Sequence, residues 1–393
     1  MKKYLFAVFL SAVFLQTVRV KAQNDDIGRI WPSEMKTWTD DSTGWKITQW
    51  TTNGNNWHLY FNIESFIDDN NALIYSDRSG KVNLYRLNFI TGSMLQLTDE
   101  NEEIHGIWHL PKYKTIWFLS GRQLKALNTG TNKTDTVYTF NSLVPEAFAV
   151  TCDSKYLVFS ANKNPGYSEN NSTGPYGLFK MDLSTRQIMQ ISPDFGFKIG
   201  HVQTNPVDPD IVSFCWQHQY RVGGEGTVGN APIRIWWNNL EGTAGGPVGP
   251  QEFGIHRTHE FWFPDGKKMG FSARYLFGPN KGLQYIGTTT LDGKSKTIFP
   301  ANVSAAHSQV YLDGIHWISD QFNGPYLVMF TLGADKIIET KVLFRHNSSW
   351  GAQPTHPHPH FSPDGKYILF STDRTGSPQV YTVEVNLLKN IQH

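Results

Sequence analysis

The segment Phe361-Ser362-Pro363-Asp364-Gly365-Lys366-Tyr367-Ile368-Leu369-Phe370-Ser371 reads as strand, Pro-Asp-Gly turn, strand. A Gly-Ser-Pro turn at 376–378 then leads into a third run at 379–385. Apolar and polar side chains alternate within these runs, and the turn residues permit the backbone angles a tight reversal needs. The same pattern recurs upstream. Glu260-Phe261-Trp262-Phe263-Pro264-Asp265-Gly266 leads into Lys268-Met269-Gly270-Phe271-Ser272. Phe66-Ile67-Asp68-Asp69-Asn70 leads into Ala72-Leu73-Ile74-Tyr75-Ser76 and then into 82–87. Weaker copies begin near Gly106, Phe148, Val202 and His307, at spacings of roughly 40 to 60 residues, the period of propeller blades.

Each copy offers three or four short strands, too few to bury both faces of its own sheet. Radial stacking solves that problem and leaves only short, protected edges. Seven copies therefore predict an all-β chain folded as a seven-bladed β-propeller. The last copy lacks a clear fourth strand. Gly44-Trp45-Lys46-Ile47-Thr48-Gln49-Trp50 has strand alternation and precedes the first full copy. It is expected to complete the final blade and close the ring. Two smaller β domains are the alternative, which the even run of repeats disfavours.

The N-terminus has a different pattern. Lys2 and Lys3 precede an almost unbroken apolar run over 4–14, and Val20-Lys21-Ala22 offers a cleavage point before Gln23. The run is too short to span a bilayer, so residues 1–22 are expected to be a signal peptide and 23–393 a single exported propeller, periplasmic or secreted, without a membrane span. Composition agrees with this picture. The 14% aromatic content, 34 Gly and 20 Pro favour strands and turns. A net charge of +1 without basic runs argues against a nucleic-acid partner. Two cysteines make neither a disulfide scaffold nor a structural zinc site. Cys152 and Cys215 fall in different repeats, which does not indicate a bond between them.

Candidate chemistry concentrates in Gln353-Pro354-Thr355-His356-Pro357-His358-Pro359-His360. Alternating prolines keep such a segment extended and out of regular ladders, and side chains two apart then project to similar sides. His356 and His358 can therefore converge on one divalent ion. The bland reading is an inert histidine loop. His307 begins another repeat at the equivalent place, and His256 and His259 begin a third. A propeller gathers such positions around its central channel, which is what a metal site requires. Arg234, among the apolar neighbours Ile233, Ile235 and Trp236, reads equally well as a packed surface arginine or as a cation for a carboxylate substrate.

These residues resemble the oligogalacturonate lyases, seven-bladed propellers that cleave pectin-derived oligosaccharides by β-elimination. Thr258-His259-Glu260-Phe261-Trp262-Phe263-Pro264-Asp265-Gly266, His307 with Ser308, and Gln353-Pro354-Thr355-His356-Pro357-His358 carry the likeness, with a weaker match at Gly200-His201 and Phe214-Cys215. The resemblance implies a manganese site at His307, Gln353, His356 and His358. It places His259 on the family's active-site histidine and Arg234 on the arginine assigned as proton-abstracting base. An arginine is an awkward base because its pKa exceeds about 12, so His259 stays a rival base, or the acid to the leaving oxygen.

The implied substrate is an acidic, uronate-containing oligosaccharide, converted to an unsaturated product. His201 and the rim positions Trp57, His58, Trp216 and Gln217 are expected to contact it. At the rim the chain departs from the family's His-Arg and His-Glu pairs, which suggests altered substrate contacts. Two other classes compete. The Ser362-Pro363-Asp364-Gly365 turn is also similar to exported TolB-type propellers that bind proteins, a reading that leaves the Gln/His set unexplained. A propeller glycoside hydrolase needs two opposed carboxylates. Glu260 and Asp265 are the candidates, Asp265 lying in a turn and Glu260 being better explained as support for a histidine.

Overall fold

Alternate side chains on a strand point to opposite faces, and that rule organises the whole molecule. The computed structural model describes residues 26–164, 173–216, 234–249, 255–275 and 279–387. The signal-peptide span 1–22 and Gln217 lie outside the described residues. Seven antiparallel sheets of four to six strands follow one another along the chain. We call them blades 1 to 7, with innermost strands beginning at Asn56, Ile104, Ala147, Ile199, Ile255, Ser308 and His360. The helical elements among the described residues are short 3-10 turns.

Seven buried clusters fill the seven gaps between neighbouring blades. In blade 2, Ile116 and Phe118 pack with Leu73 and Leu84 of blade 1. The intervening Trp117 and Leu119 pack with Leu157 and Phe159 of blade 3. In blade 7, Ile368 and Phe370 meet Ile318 and Leu327 of blade 6, while Leu369 meets Ile74 and Tyr85 of blade 1. Each strand thus serves two interfaces, and each fully buried Leu, Ile or Phe contributes about 1.5–3 kcal/mol. No blade can keep this burial alone.

The ring closes as the sequence predicts. Lys46–Gln49 pairs antiparallel with Gln379–Glu384, Ile47 opposite Val383, and Lys36–Thr39 adds a further strand outside it. Trp50 fixes the joint: its amide donates to the Val380 carbonyl at 2.8 Å and its indole to the Thr382 hydroxyl at 3.0 Å. Cys152 and Cys215 are both free thiols.

One innermost position carries a stability consequence. His109 is buried and its Nδ1 donates to the Glu64 carbonyl at 3.0 Å, while Nε2 has no hydrogen-bond partner among the described residues. Burial pushes its pKa down to about 4, against a lesser upward pull from the Glu64 carbonyl. The unfolded chain takes up this proton near pH 6.5 and the folded chain does not. Stability is therefore lost as pH falls from about 6.5 to about 4, by roughly 3 kcal/mol, and no further below. We expect the urea midpoint of His109→Gln to fall less steeply than that of the parent over this window. Parallel curves would show that His109 does not carry the effect.

Candidate active site

Three innermost strands carry the same irregularity. In blades 2, 4 and 5 the ladder skips a residue, at Gly106, His201 and His259, with φ of 62°, 48° and 53°. Glycine accepts that conformation freely. A histidine pays on the order of 1–3 kcal/mol for it, and such bulges re-aim a side chain. His358 is also left-handed, at φ 44°. Strained histidines at the propeller axis are the signature of a site rather than of packing.

Blade 1 contributes differently. Its innermost strand is split into Asn56–His58 and Phe66–Asp68, and the turn between them delivers Tyr60 and Phe61 to the centre. Phe61 is fully buried and its ring lies 5.3 Å from His307, 6.1 Å from His259 and 6.5 Å from His358. It forms the floor on which the histidines rest.

Nitrogen atoms of His307, His356 and His358 lie within 4.8 Å of one another. Burial lowers the pKa of all three, with repulsion from neighbouring imidazoles adding to it at His307 and His358. The three rings are therefore neutral, with lone pairs available. His356 Nδ1 and His358 Nε2 are buried without hydrogen-bond partners among the described residues. A cluster of orphaned, neutral imidazole nitrogens fits a divalent cation. Gln353 opens the 3-10 turn Gln353–Thr355 and lines a cavity of about 220 Å³ with His358, Trp57 and Tyr60. The convergence does not come from an extended segment. His356 caps that turn, and the left-handed His358 swings its ring back toward it, 5.5 Å between centroids.

Asp320, fully buried, holds the cluster in place. His307 donates to it from the backbone at 2.8 Å and from Nδ1 at 2.9 Å, and the His358 amide donates at 3.2 Å. Nδ1 of His307 being committed, Nε2 is the nitrogen left for a metal. Burial pushes the Asp320 carboxyl up to about 7 although His346 and then these amides oppose it, and His307 is held neutral, so the contact is a hydrogen bond and not an ion pair. Asp320→Asn should lower affinity for a divalent ion about 10–100-fold, read by calorimetric titration of the folded protein. Unchanged affinity would remove Asp320 from the metal centre.

A second group adjoins the first. Glu260, fully buried, lies between Arg234 Nε at 3.3 Å and His201 Nδ1 at 3.1 Å. The His201 contact is off the hydrogen-bond line and acts electrostatically. Burial favours a neutral Glu260, but Arg234 and His201 outweigh it and hold the carboxyl below the usual range. Burial likewise opposes the charge on Arg234, yet the ionised Glu260 beside it holds it protonated. His201, Cys215 and Glu260 also cluster closely enough to hold a cation. The guanidinium beside Glu260 already supplies that charge.

His259 sits between the two groups, 4.6 Å from the His307 ring. Its Nδ1 is 3.0 Å from the Ser272 hydroxyl, which itself donates to the Thr258 carbonyl at 3.3 Å. Nδ1 therefore carries the proton and Nε2 keeps a bare lone pair. Burial, followed by His307 and Arg234, holds the ring neutral. Beside it opens a cavity of about 340 Å³ lined by His256, Thr258, Arg274, Gln284 and Phe322.

The rim residues divide. Trp57 stacks on Tyr75 at 5.3 Å and faces the smaller cavity. Trp216 stacks on Phe197 at 3.7 Å and accepts a hydrogen bond from Arg234 on its carbonyl. His58 is 1% exposed and uses both ring nitrogens internally, donating from Nε2 to the His358 carbonyl at 2.6 Å and accepting from Ser371 at 2.7 Å. It braces the strained His358 from behind and sits in the wall of the smaller cavity. Asp265 is exposed in its turn and Glu260 is locked in its ion pair, so the two opposed carboxylates of a hydrolase are not present in this pair. Sequence reasoning missed Tyr60, Phe61 and Asp320. Asp320 was within reach, because the ladder that pairs Ser308 with Ser319 sets it opposite His307.

A sequence profile of the family described as oligogalacturonate lyase matches residues 27–387. An oligogalacturonide lyase of Pectobacterium atrosepticum is 26% identical, over 90% of this chain and 97% of its own. An oligogalacturonate lyase of Dickeya dadantii is 25% identical, over 89% and 95%. Among solved structures, an oligogalacturonate lyase in complex with manganese superposes with a TM-score of 0.81 at 24% identity, covering 92% of this chain and 99% of that one. The Vibrio parahaemolyticus oligogalacturonate lyase gives 0.79 at 23% identity, with the same coverage.

Proposed function

The chain belongs to the oligogalacturonate lyase family, and from that premise we propose that it cleaves uronate-containing oligosaccharides by metal-assisted β-elimination. The observation that carries this reading is the three-histidine cluster with orphaned donors, backed by Asp320. His307, His356 and His358 would hold the ion, with Gln353 as a fourth ligand. Imidazole with an amide oxygen suits several divalent metals, and manganese is our choice because a solved relative binds it. When bound, such an ion withdraws charge from the uronate carboxylate and makes the C5 proton removable.

The remaining work falls to side chains. His259 takes the C5 proton on Nε2, since Ser272 keeps its Nδ1 protonated. Arg234, paired with Glu260, stays cationic and offers its guanidinium to the carboxylate side of the sugar rather than acting as the base. The cavity beside His259, with Arg274 on its wall, receives the acidic chain. Trp57 and Trp216 present aromatic faces to flanking sugars, and His201 holds Glu260 in register. The leader read over residues 1–22 would put this activity in the periplasm. The direct test is incubation of manganese-loaded protein with galacturonate oligomers. Growth of ultraviolet absorbance from a C4–C5 double bond supports the reading, and cleavage to saturated ends would make the protein a hydrolase.

A further inference from the structure

Tyr60 occupies a position that the metal cluster and the proposed base leave unexplained. Its ring meets His358 at 4.7 Å, His307 at 5.6 Å and His201 at 5.7 Å, all edge-on, from blades 7, 6 and 4. Phe61 packs on it at 4.7 Å. Four ring contacts fix the phenol in one orientation. The residue lines the smaller cavity together with Gln353, His358 and Trp57. Its hydroxyl is neither sealed in the interior nor hydrogen-bonded to any described residue. A phenol held rigidly among three histidines, with a free hydroxyl at a cavity wall, is poised to donate.

We propose that Tyr60 is the acid of the elimination, its hydroxyl protonating the glycosidic oxygen as it departs. This rests on the lyase reading above. The base removes hydrogen from C5, and the C5–H electron pair becomes the C4–C5 double bond. The C4–O bond breaks and its electron pair stays on the leaving oxygen, which takes the Tyr60 proton and departs as a free hydroxyl. The phenolate regains a proton through water from the newly protonated base, so no other reactant is consumed. His307 and His358 cannot take this role while their lone pairs face a metal, and His201 turns its Nδ1 to Glu260 at 3.1 Å. Burial, followed by the nearby Glu260 carboxylate, pushes the Tyr60 phenol above its ordinary range, so it carries its proton at neutral pH.

The test compares Tyr60→Phe with the parent on two substrates: a uronate oligosaccharide, and a uronate bearing 4-nitrophenol at C4, which leaves without protonation. The variant keeps the ring and its packing, so metal per chain should match the parent. We expect kcat on the oligosaccharide to drop about 10²–10⁴-fold and on the nitrophenyl substrate less than about 10-fold. Exchange of the C5 proton with heavy water should persist in the variant. Equal losses on both substrates, or no loss on either, overturns the assignment, as does the same signature appearing in Tyr75→Phe. If the parent forms unsaturated product from neither substrate, the lyase reading itself fails and the role of Tyr60 falls with it.

Discussion

His356→Ala should leave a folded propeller that no longer retains stoichiometric metal and has lost lyase activity by on the order of 10³-fold or more. Of the three clustered histidines, His356 is the one to remove. It is partly exposed, caps a short turn and carries no strained backbone. His358 is buried, left-handed and braced by His58, and His307 is bonded twice to Asp320, so their loss would confound folding with ligation. Two imidazoles and an amide bind a divalent ion far less tightly than three imidazoles and an amide. Metal content by elemental analysis and product formation by ultraviolet absorbance should fall together. Full metal content in the variant would mean that the ion, if there is one, sits elsewhere.

His259→Ala should separate binding from chemistry. The ring touches His307 but is not part of the three-histidine cluster, so metal should stay bound while kcat falls about 10²–10⁴-fold. Added imidazole, small enough to enter the adjoining cavity, should restore part of the rate by supplying the missing lone pair. Exchange of the C5 proton should disappear from the variant. If exchange survives there and is lost instead in Arg234→Lys, Arg234 is the base after all. The present geometry speaks against that, because Arg234 is protonated and pressed against an ionised Glu260.

The sequence exposed the architecture because each blade repeats a local rule. Pro363-Asp364-Gly365 and Pro264-Asp265-Gly266 announce their turns without reference to anything distant. The period-2 patterning around them foretells which side chains enter each inter-blade gap. Ring closure by Lys46–Gln49 was legible for the same reason, since a blade one strand short needs a partner.

The three-histidine cluster was legible through His307, His356 and His358, but not its mechanics. The expected extended segment is in fact a 3-10 turn followed by a left-handed histidine. Bulges at His201 and His259 leave no local sequence signal, because they depend on register across the ladder. His58 lines the same cavity as Trp57, but its ring nitrogens are engaged by Ser371 and the His358 carbonyl, which the sequence does not announce. Tyr60 was hidden by its surroundings. In the run Trp57-His58-Leu59-Tyr60-Phe61 one more aromatic reads as core.

The central claim is that His307, His356 and His358 hold a catalytic divalent ion. Elemental analysis of the purified protein, before and after treatment with a chelator and after reconstitution with manganese, tests it most directly. The account predicts about one ion per chain, removed by the chelator together with lyase activity and restored with it. A protein that binds no ion after reconstitution would contradict it.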